Sequence, residues 1–135
     1  MTAAIEGNDL ATFPDFPAEI RAPAGTTFGV SAFQINFGAR KIMTSGDQLD
    51  VLVAMNPAAL ITNLADVRPG GIVMADSGAF TDRNLSKAGY AQNPLDDDGL
   101  EGYRLVKIDM SRLTVEAVKE FGLSNKEGLR SKNMW

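Results

Sequence analysis

Three short runs of apolar residues predict the strands of a sheet. The segment from Gly29 to Phe37 alternates apolar side chains with smaller or polar ones, the period of a strand that buries one face. The runs from Leu49 to Met55 and from Gly71 to Asp76 are almost wholly apolar and rich in β-branched residues. Such runs are typical of strands that are covered on both faces.

A short helix is predicted between the last two runs. Asn56 has a side chain that caps helices, and Pro57 suits a first helical turn because its missing N–H costs nothing there. The helix should extend to about Leu64, and Arg68-Pro69-Gly70-Gly71 predicts a turn before the next strand. Strand, helix, turn and strand in this order indicate a parallel β-α-β crossover. The fold class predicted from these residues is therefore α/β.

A fourth strand and a second helix are predicted further along the chain. The strand is expected from Tyr103 to Ile108, and either Ser111 or Thr114 is expected to cap the helix after it. The helix should end at Gly122. The apolar residues that it carries are Leu113, Val115, Val118 and Phe121.

Both ends of the chain predict an incomplete domain. Residues 1–25 are expected to form a shaped loop, because three prolines lie within ten residues. The segment from Asn125 to Trp135 predicts a helix with Leu129 and Met134 facing inward, and it stops on a bulky apolar residue. We expect a single partial domain over residues 1–135, with an exposed strand edge and a tendency to aggregate.

Composition narrows the possible chemistry. The chain has 135 residues, of which 44% are apolar, and it contains neither Cys nor His. Thiolate zinc sites, iron–sulfur clusters and Ser-His-Asp triads are therefore excluded within this sequence. A net charge of −4 disfavours nucleic acid, and no stretch reaches the ~18 apolar residues of a membrane helix. A cytoplasmic location is expected, and the acidic run Asp96-Asp97-Asp98 is interpreted as a solvated loop with no metal.

Candidate binding groups lie where the two buried strands end. Open α/β sheets bind ligands beyond the carboxyl ends of their strands, which here are Met55-Asn56-Pro57 and Asp76-Ser77-Gly78. Each tip is a candidate cradle for a phosphate or carboxylate. The alternative is that Asn56 and Asp76 cap the turns that follow them, and this cap interpretation is the favoured one. A glycine-rich dinucleotide fingerprint is absent, since Gly70-Gly71 precedes a strand.

Several blocks of sequence in order resemble one enzyme family. They are GNDLAT (Gly7 to Thr12), PDFPAEIRAPAGT (Pro14 to Thr26), DVLVAMNPAAL (Asp50 to Leu60), FTDRNLSKAGY (Phe80 to Tyr90), NPLDDDGL (Asn93 to Leu100) and RSKNMW (Arg130 to Trp135). Together they resemble the gamma domain in the alpha subunit of 2-oxoacid:ferredoxin oxidoreductases, the 2-oxoglutarate type in particular, within the pyruvate:ferredoxin oxidoreductase superfamily. The resemblance extends over essentially the whole chain.

The resemblance implies a three-layer α/β/α fold with a mixed, mostly parallel sheet. It also implies a place in an enzyme that decarboxylates a 2-oxoacid oxidatively, makes an acyl-coenzyme A and reduces ferredoxin. The holoenzyme would use thiamine diphosphate, Mg²⁺, an iron–sulfur cluster and coenzyme A. Its thiamine-binding beta subunit and the remaining alpha-subunit domains would be partners of this chain, which is expected to bind none of these cofactors alone.

The resemblance assigns this chain no catalytic residue and no metal ligand. It implies subunit contacts and one wall of the coenzyme A and active-site cleft. The candidate residues of that wall are Glu19, Arg21, Thr26, Thr27, Asn56, Pro57 and Lys87. Composition alone favours a surface salt bridge between Glu19 and Arg21. Two other hypotheses stay open, namely a small independent α/β module for an anionic metabolite or nucleotide, and a structural remnant without a ligand.

Overall fold

The computed structural model describes residues 7–15 and 30–134, without the side chains of residues 14, 15, 133 and 134. This part of the chain forms five strands and four α-helices. They are β1 (Asp9–Asp15), β2 (Ala32–Gly38), β3 (Leu49–Ala54), α1 (Pro57–Asn63), β4 (Val67–Asp76), α2 (Asp82–Ala88), β5 (Arg104–Ile108), α3 (Met110–Ala117) and α4 (Asn125–Arg130). Among these helices, none is long and apolar enough to cross a membrane.

Strands β1 and β2 form an antiparallel pair. Their register extends from Asp9 opposite Gly38 to Asp15 opposite Ala32. The prediction of a loop throughout residues 1–25 is therefore wrong for β1. A proline breaks a central strand, but in a two-stranded sheet each strand has a free edge, so Pro14 is accommodated opposite Phe33.

Strands β3, β4 and β5 form a parallel sheet in that order. Helix α1 connects β3 with β4, and α2 connects β4 with β5, so the predicted parallel crossover is confirmed. The α/β fold class is confirmed as well. Parallel and antiparallel pairings both occur, and in the described residues they belong to two separate sheets.

The core lies between one face of the parallel sheet and the crossover helices. Leu52 of β3 and Val73 of β4 are register partners, and both are buried. They pack in one cluster with Leu60 of α1 and Leu85 of α2. Helices α1 and α2 also contact each other, as expected for two crossovers that lie on the same face.

The opposite face of β3 is not covered within the described residues. Val51 is 44% exposed and Val53 is 48% exposed. The prediction that this strand is covered on both faces is therefore wrong. Its apolar sequence predicts a strand but does not tell which neighbours the strand acquires.

The turn predicted at residues 68–71 is an irregularity inside β4. The pairing with β3 moves from Leu49 opposite Val67 directly to Val51 opposite Ile72. Gly70 has a φ of +73°, and a Cβ on Gly71 would clash with the side chain of Val67. The two glycines thus permit a bulge at which the strand bends without ending.

Three local features of the helices differ from prediction. Helix α2 was not predicted, although Thr81 caps its start and Gly89 ends it with a φ of +84°. Helix α3 is capped by Asp109, whose side chain accepts from the backbone N–H of Arg112, and not by Ser111 or Thr114. Helix α3 ends at Ala117 and not at Gly122, which instead follows the separate 3₁₀ turn Lys119–Phe121 with a φ of +66°.

Helix α4 is shorter than predicted. It ends at Arg130, and the chain then forms a 3₁₀ turn from Ser131 to Met134. Ser124 and Glu127 form a capping box at its start. Leu129 is 43% exposed, so its predicted inward orientation is wrong, while the side chain of Met134 lies outside the described part.

Candidate functional site

The carboxyl ends of the three parallel strands meet at one end of the sheet. Strand β3 leads into Met55 and Asn56, β4 ends at Asp76, and β5 leads into Asp109. Because crossover strands run in the same direction, these residues come from distant parts of the sequence to one surface. We call this surface the carboxyl end of the parallel sheet.

Asp76 is the centre of a buried polar cluster at this end. Its side chain has no exposed surface. One carboxylate oxygen accepts a hydrogen bond from the backbone N–H of Ser111 at 3.2 Å, and the other accepts from Ser111 Oγ at 2.8 Å. The predicted role of Asp76 as a cap of the following turn is wrong, since its side chain makes no capping hydrogen bond.

Lys132 supplies the opposite charge. Its Nζ lies 2.9 Å from Asp76 Oδ2, and its side chain is 19% exposed. The same Nζ is 3.4 Å from the backbone oxygen of Met55, a long hydrogen bond. One ammonium thus connects the C-terminal turn to the ends of both β3 and β4.

The cluster favours an ionised carboxylate. Burial of Asp76 raises its pKa, but the hydrogen bonds from Lys132 and Ser111 and the charge of Lys132 outweigh burial, so the net pKa lies below its ordinary value. At neutral pH Asp76 is therefore a carboxylate. Since the two charges cancel, the cluster offers no surplus positive charge to an anion.

The turn after β4 is filled by the protein itself. A Cβ on Gly78 would clash with the carboxylate of Asp109 and crowd Ser111. Glycine therefore lets this turn approach the start of α3 closely. Because a carboxylate lies against the turn, the predicted cradle for a phosphate or carboxylate at Ser77-Gly78 is disfavoured electrostatically.

The Asn56 tip has a structural role that the sequence predicted. Asn56 Oδ1 accepts a hydrogen bond from the backbone N–H of Ala59 at 2.8 Å, which confirms the cap interpretation. Pro57 is buried in the first turn of α1. Asn56 itself is only partly buried.

One further candidate residue, Lys87, is described and is not brought to this site. Lys87 is exposed in the last turn of α2. A crossover helix runs opposite to its strands, so this turn lies toward the amino end of the sheet. Glu19, Arg21, Thr26 and Thr27 lie outside the described residues, and their assignment stays a prediction.

Sequence reasoning missed two residues of the cluster. The sequence predicts Ser111 only as a possible helix cap, and no sequence pattern singles out Lys132. Lys132 and Asp76 are 56 residues apart in sequence, so no local pattern links them.

The acidic run at Asp96-Asp97-Asp98 behaves as predicted. All three side chains are exposed, Asp97 accepts from the N–H of Gly99, and Asp96 pairs with Lys107 at 2.7 Å. In the part of the chain that the structure describes, no group of three acidic residues is arranged to hold a metal ion.

Two comparisons with known proteins indicate the same type of enzyme. The family model described as pyruvate ferredoxin/flavodoxin oxidoreductase matches residues 1–135. The chain is 54% identical over 133 residues to the 2-oxoglutarate oxidoreductase subunit KorA of Mycobacterium tuberculosis. This match covers 98% of the chain but 20% of KorA, so the chain spans about a fifth of that relative.

A solved structure is also similar at a low level. It is the pyruvate oxidoreductase subunit PORC of Thermotoga maritima, with 15% identity and a TM-score of 0.41. The match covers 98% of this chain and 72% of that chain. A likeness of this size is too weak to decide a fold.

Proposed function

The chain belongs to the pyruvate ferredoxin/flavodoxin oxidoreductase family, and on that premise we propose that it is an accessory and assembly domain of a 2-oxoacid:ferredoxin oxidoreductase. The family resemblance predicted from the residues is confirmed. The proposed reaction of the whole enzyme is oxidative decarboxylation of 2-oxoglutarate or a related 2-oxoacid to an acyl-coenzyme A. Ferredoxin would be the electron acceptor.

One observation carries this proposal. The similarity to KorA extends over 98% of this chain at 54% identity, so it is not confined to a single motif. The name of that relative supplies 2-oxoglutarate as the first substrate to test. Because the chain spans about a fifth of KorA, the activity, substrate and partners of the whole enzyme belong to the proposal.

The residues of this chain do not fit the cofactors of such an enzyme. An iron–sulfur cluster requires thiolates, and the sequence contains no Cys. At the carboxyl end of the sheet, Asp76 is already paired with Lys132 and Asp109 caps α3. We therefore derive no step through thiamine diphosphate, Mg²⁺ or a cluster here, and assign them to the remaining alpha-subunit domains and the thiamine-binding beta subunit.

The proposed contribution of this chain is contact surface and a wall of the cleft for coenzyme A. Leu10, Phe33, Ile35 and Phe37 share one face of the β1–β2 pair and are 41–63% exposed. Neighbouring apolar side chains of this size support a role in subunit contacts. For the cleft wall, the proposal retains Glu19, Arg21, Thr26, Thr27, Asn56, Pro57 and Lys87 as candidates.

Reconstitution tests the proposal. The chain would be expressed with the remaining alpha-subunit domains and the beta subunit, and reduction of a dye would be measured with 2-oxoglutarate and coenzyme A. We expect activity that depends on both compounds in the complex and none from the chain alone. A verified, cofactor-loaded complex without activity on any 2-oxoacid would contradict the proposal.

A pair of arginine variants tests the cleft wall. Arg21→Ala should raise the KM for coenzyme A in the assembled enzyme, because it removes a cation from the proposed wall. Arg83→Ala, which changes an exposed arginine of α2, is the matched control and should leave that KM unchanged. Loss of subunits without a change in KM would instead assign Arg21 to an interface.

Calorimetry separates the proposal from an independent binding module. Nucleotides and coenzyme A would be titrated into the chain alone. Saturable micromolar binding would favour the module. We expect no such binding, since the carboxylate of Asp109 lies against the Ser77–Gly78 turn and the charges of Asp76 and Lys132 cancel each other. A cytoplasmic location is part of the proposal and rests on composition.

A further inference from the structure

The C-terminal segment consists of helix α4 and the 3₁₀ turn Ser131–Met134 that follows it. Helix α4 has only six residues, which is far below the length at which a helix is stable by itself. Gly128 is its buried residue, and a Cβ there would lie 3.0 Å from the side chain of Val118. Leu129 is 43% exposed, so it buries only part of its apolar surface. Among the side chains that the structure describes in this segment, apolar packing is therefore incomplete.

The Asp76–Lys132 pair is the strongest described contact between this segment and the sheet. Asp76 is fully buried, and the Lys132 side chain is 19% exposed. A buried charge whose partner is removed is costly, so the two groups hold each other in place. Ser111 fixes the orientation of the Asp76 carboxylate through two hydrogen bonds, which directs one oxygen toward Lys132.

The same ammonium reaches the end of β3. Lys132 Nζ lies 3.4 Å from the backbone oxygen of Met55, the residue immediately before Asn56. The cap hydrogen bond from the Ala59 N–H to Asn56 then connects this tip to α1. A displacement of Lys132 would thus release the tip of β3 and the C-terminal turn together.

We propose that Lys132, anchored by Asp76, is a positioning residue that fixes the Met55–Asn56 tip relative to the C-terminal turn. The tip's part in a coenzyme A cleft rests on the proposed function, whereas the mechanical coupling does not. Lys132 acts through its contacts with Asp76 and the Met55 backbone and is not assigned a catalytic role.

Hydrogen exchange of the 135-residue chain tests the coupling. Lys132→Met keeps the length of the side chain and removes its charge. We expect exchange to become at least about tenfold faster at the amides of residues 58–60 and 125–131, with a smaller change in β4 and β5. Lys126→Met, a change of an exposed lysine on α4, is the matched control and should leave both segments as in the wild type.

A double variant keeps the test decisive if Lys132→Met does not fold. In Asp76→Asn with Lys132→Met, no buried charge is left unpaired, so the chain should fold better than the single variant. Local exchange should still exceed that of the wild type. Wild-type exchange in this double variant, or a uniform increase over the whole chain, overturns the proposal.

The assembled enzyme provides a second readout. With Lys132→Met we expect the KM for coenzyme A to rise while kcat is retained, because the tip is displaced and no reacting group is lost. Lys132→Arg should recover part of the affinity by restoring the charge. If the enzyme has no activity at all, the proposed function fails, yet hydrogen exchange still decides whether Lys132 couples the two segments.

Discussion

Replacing Leu60 by alanine measures how much of the stability of this chain lies in the core beneath α1. Leu60 has no exposed surface and belongs to the cluster formed with Leu52, Val73 and Phe80. The change removes three buried carbon atoms, and each is worth about 0.8 kcal/mol in transfer from water. The cavity left behind adds to this, so the expected loss in free energy of unfolding is about 2–5 kcal/mol.

The neighbouring residue offers a matched control. Ile61 follows Leu60 on the same helix and is 45% exposed. Ile61→Ala removes the same number of carbon atoms but leaves no closed cavity, and alanine favours the helix more than isoleucine does. We expect a loss of roughly 1 kcal/mol or less. The difference between the two variants therefore isolates burial from side-chain size.

Urea and thermal unfolding followed by circular dichroism would measure both variants. For a domain of this size, about 1 kcal/mol corresponds to roughly 3–4 °C, so Leu60→Ala should lower Tm by roughly 6–20 °C. If Leu60→Ala does not fold, Leu60→Met can take its place. Because methionine conserves the side-chain volume, the expected loss in free energy of unfolding is less than about 1.5 kcal/mol. Equal losses in free energy of unfolding at positions 60 and 61 would contradict the placement of Leu60 in a closed core.

Three further changes test separate features. Gly78→Ala should cost about 1–3 kcal/mol in unfolding by urea, because its Cβ would clash with Asp109, whereas Gly102→Ala has open space and should be nearly neutral. The folded pKa of Asp76 is lowered, so its stabilising contribution is present above its ordinary pKa of 3.8 and is lost as the pH falls below that value. Asp76→Asn should therefore flatten the loss of stability in acid, and an unchanged acid profile would contradict this. Phe37→Ser should reduce light scattering by the isolated chain while its unfolding midpoint stays within error, because this side chain is 63% exposed.

Local chemistry made part of the fold predictable. The start of α1 follows from Asn56 and Pro57, because a cap and a first-turn proline act through their immediate neighbours. The order of strand and helix from Leu49 to Asp76 follows from the length and composition of each run. These features need no knowledge of the rest of the molecule, and they match the structure.

Other features depend on contacts that sequence neighbours do not reveal. Three residues, Asp109, Ser111 and Thr114, are each able to cap a helix, and only the backbone geometry selects Asp109. Asp76 resembles any acidic residue at the end of a strand, yet its burial depends on Lys132, 56 positions later. The exposed valines of β3 likewise reflect which elements lie against the sheet, and not the character of the strand.

The β1–β2 pair differs from the parallel sheet in how it is held. Its side chains form hydrogen bonds with the segment that connects β2 to β3. The side chain of Gln34 donates to the backbone oxygen of Ser45, and the backbone N–H of Ile42 donates to the side chain of Asp9. None of its described side chains belongs to the buried cluster of the parallel sheet. Such a pair has little apolar burial to delay its opening, so it should lose its protection from solvent earlier than β4 does. A partner protein that covered Phe33 and Phe37 would then slow hydrogen exchange in the β1–β2 pair and leave exchange in the parallel sheet almost unaltered. The two sheets of one chain would thus exchange at independent rates.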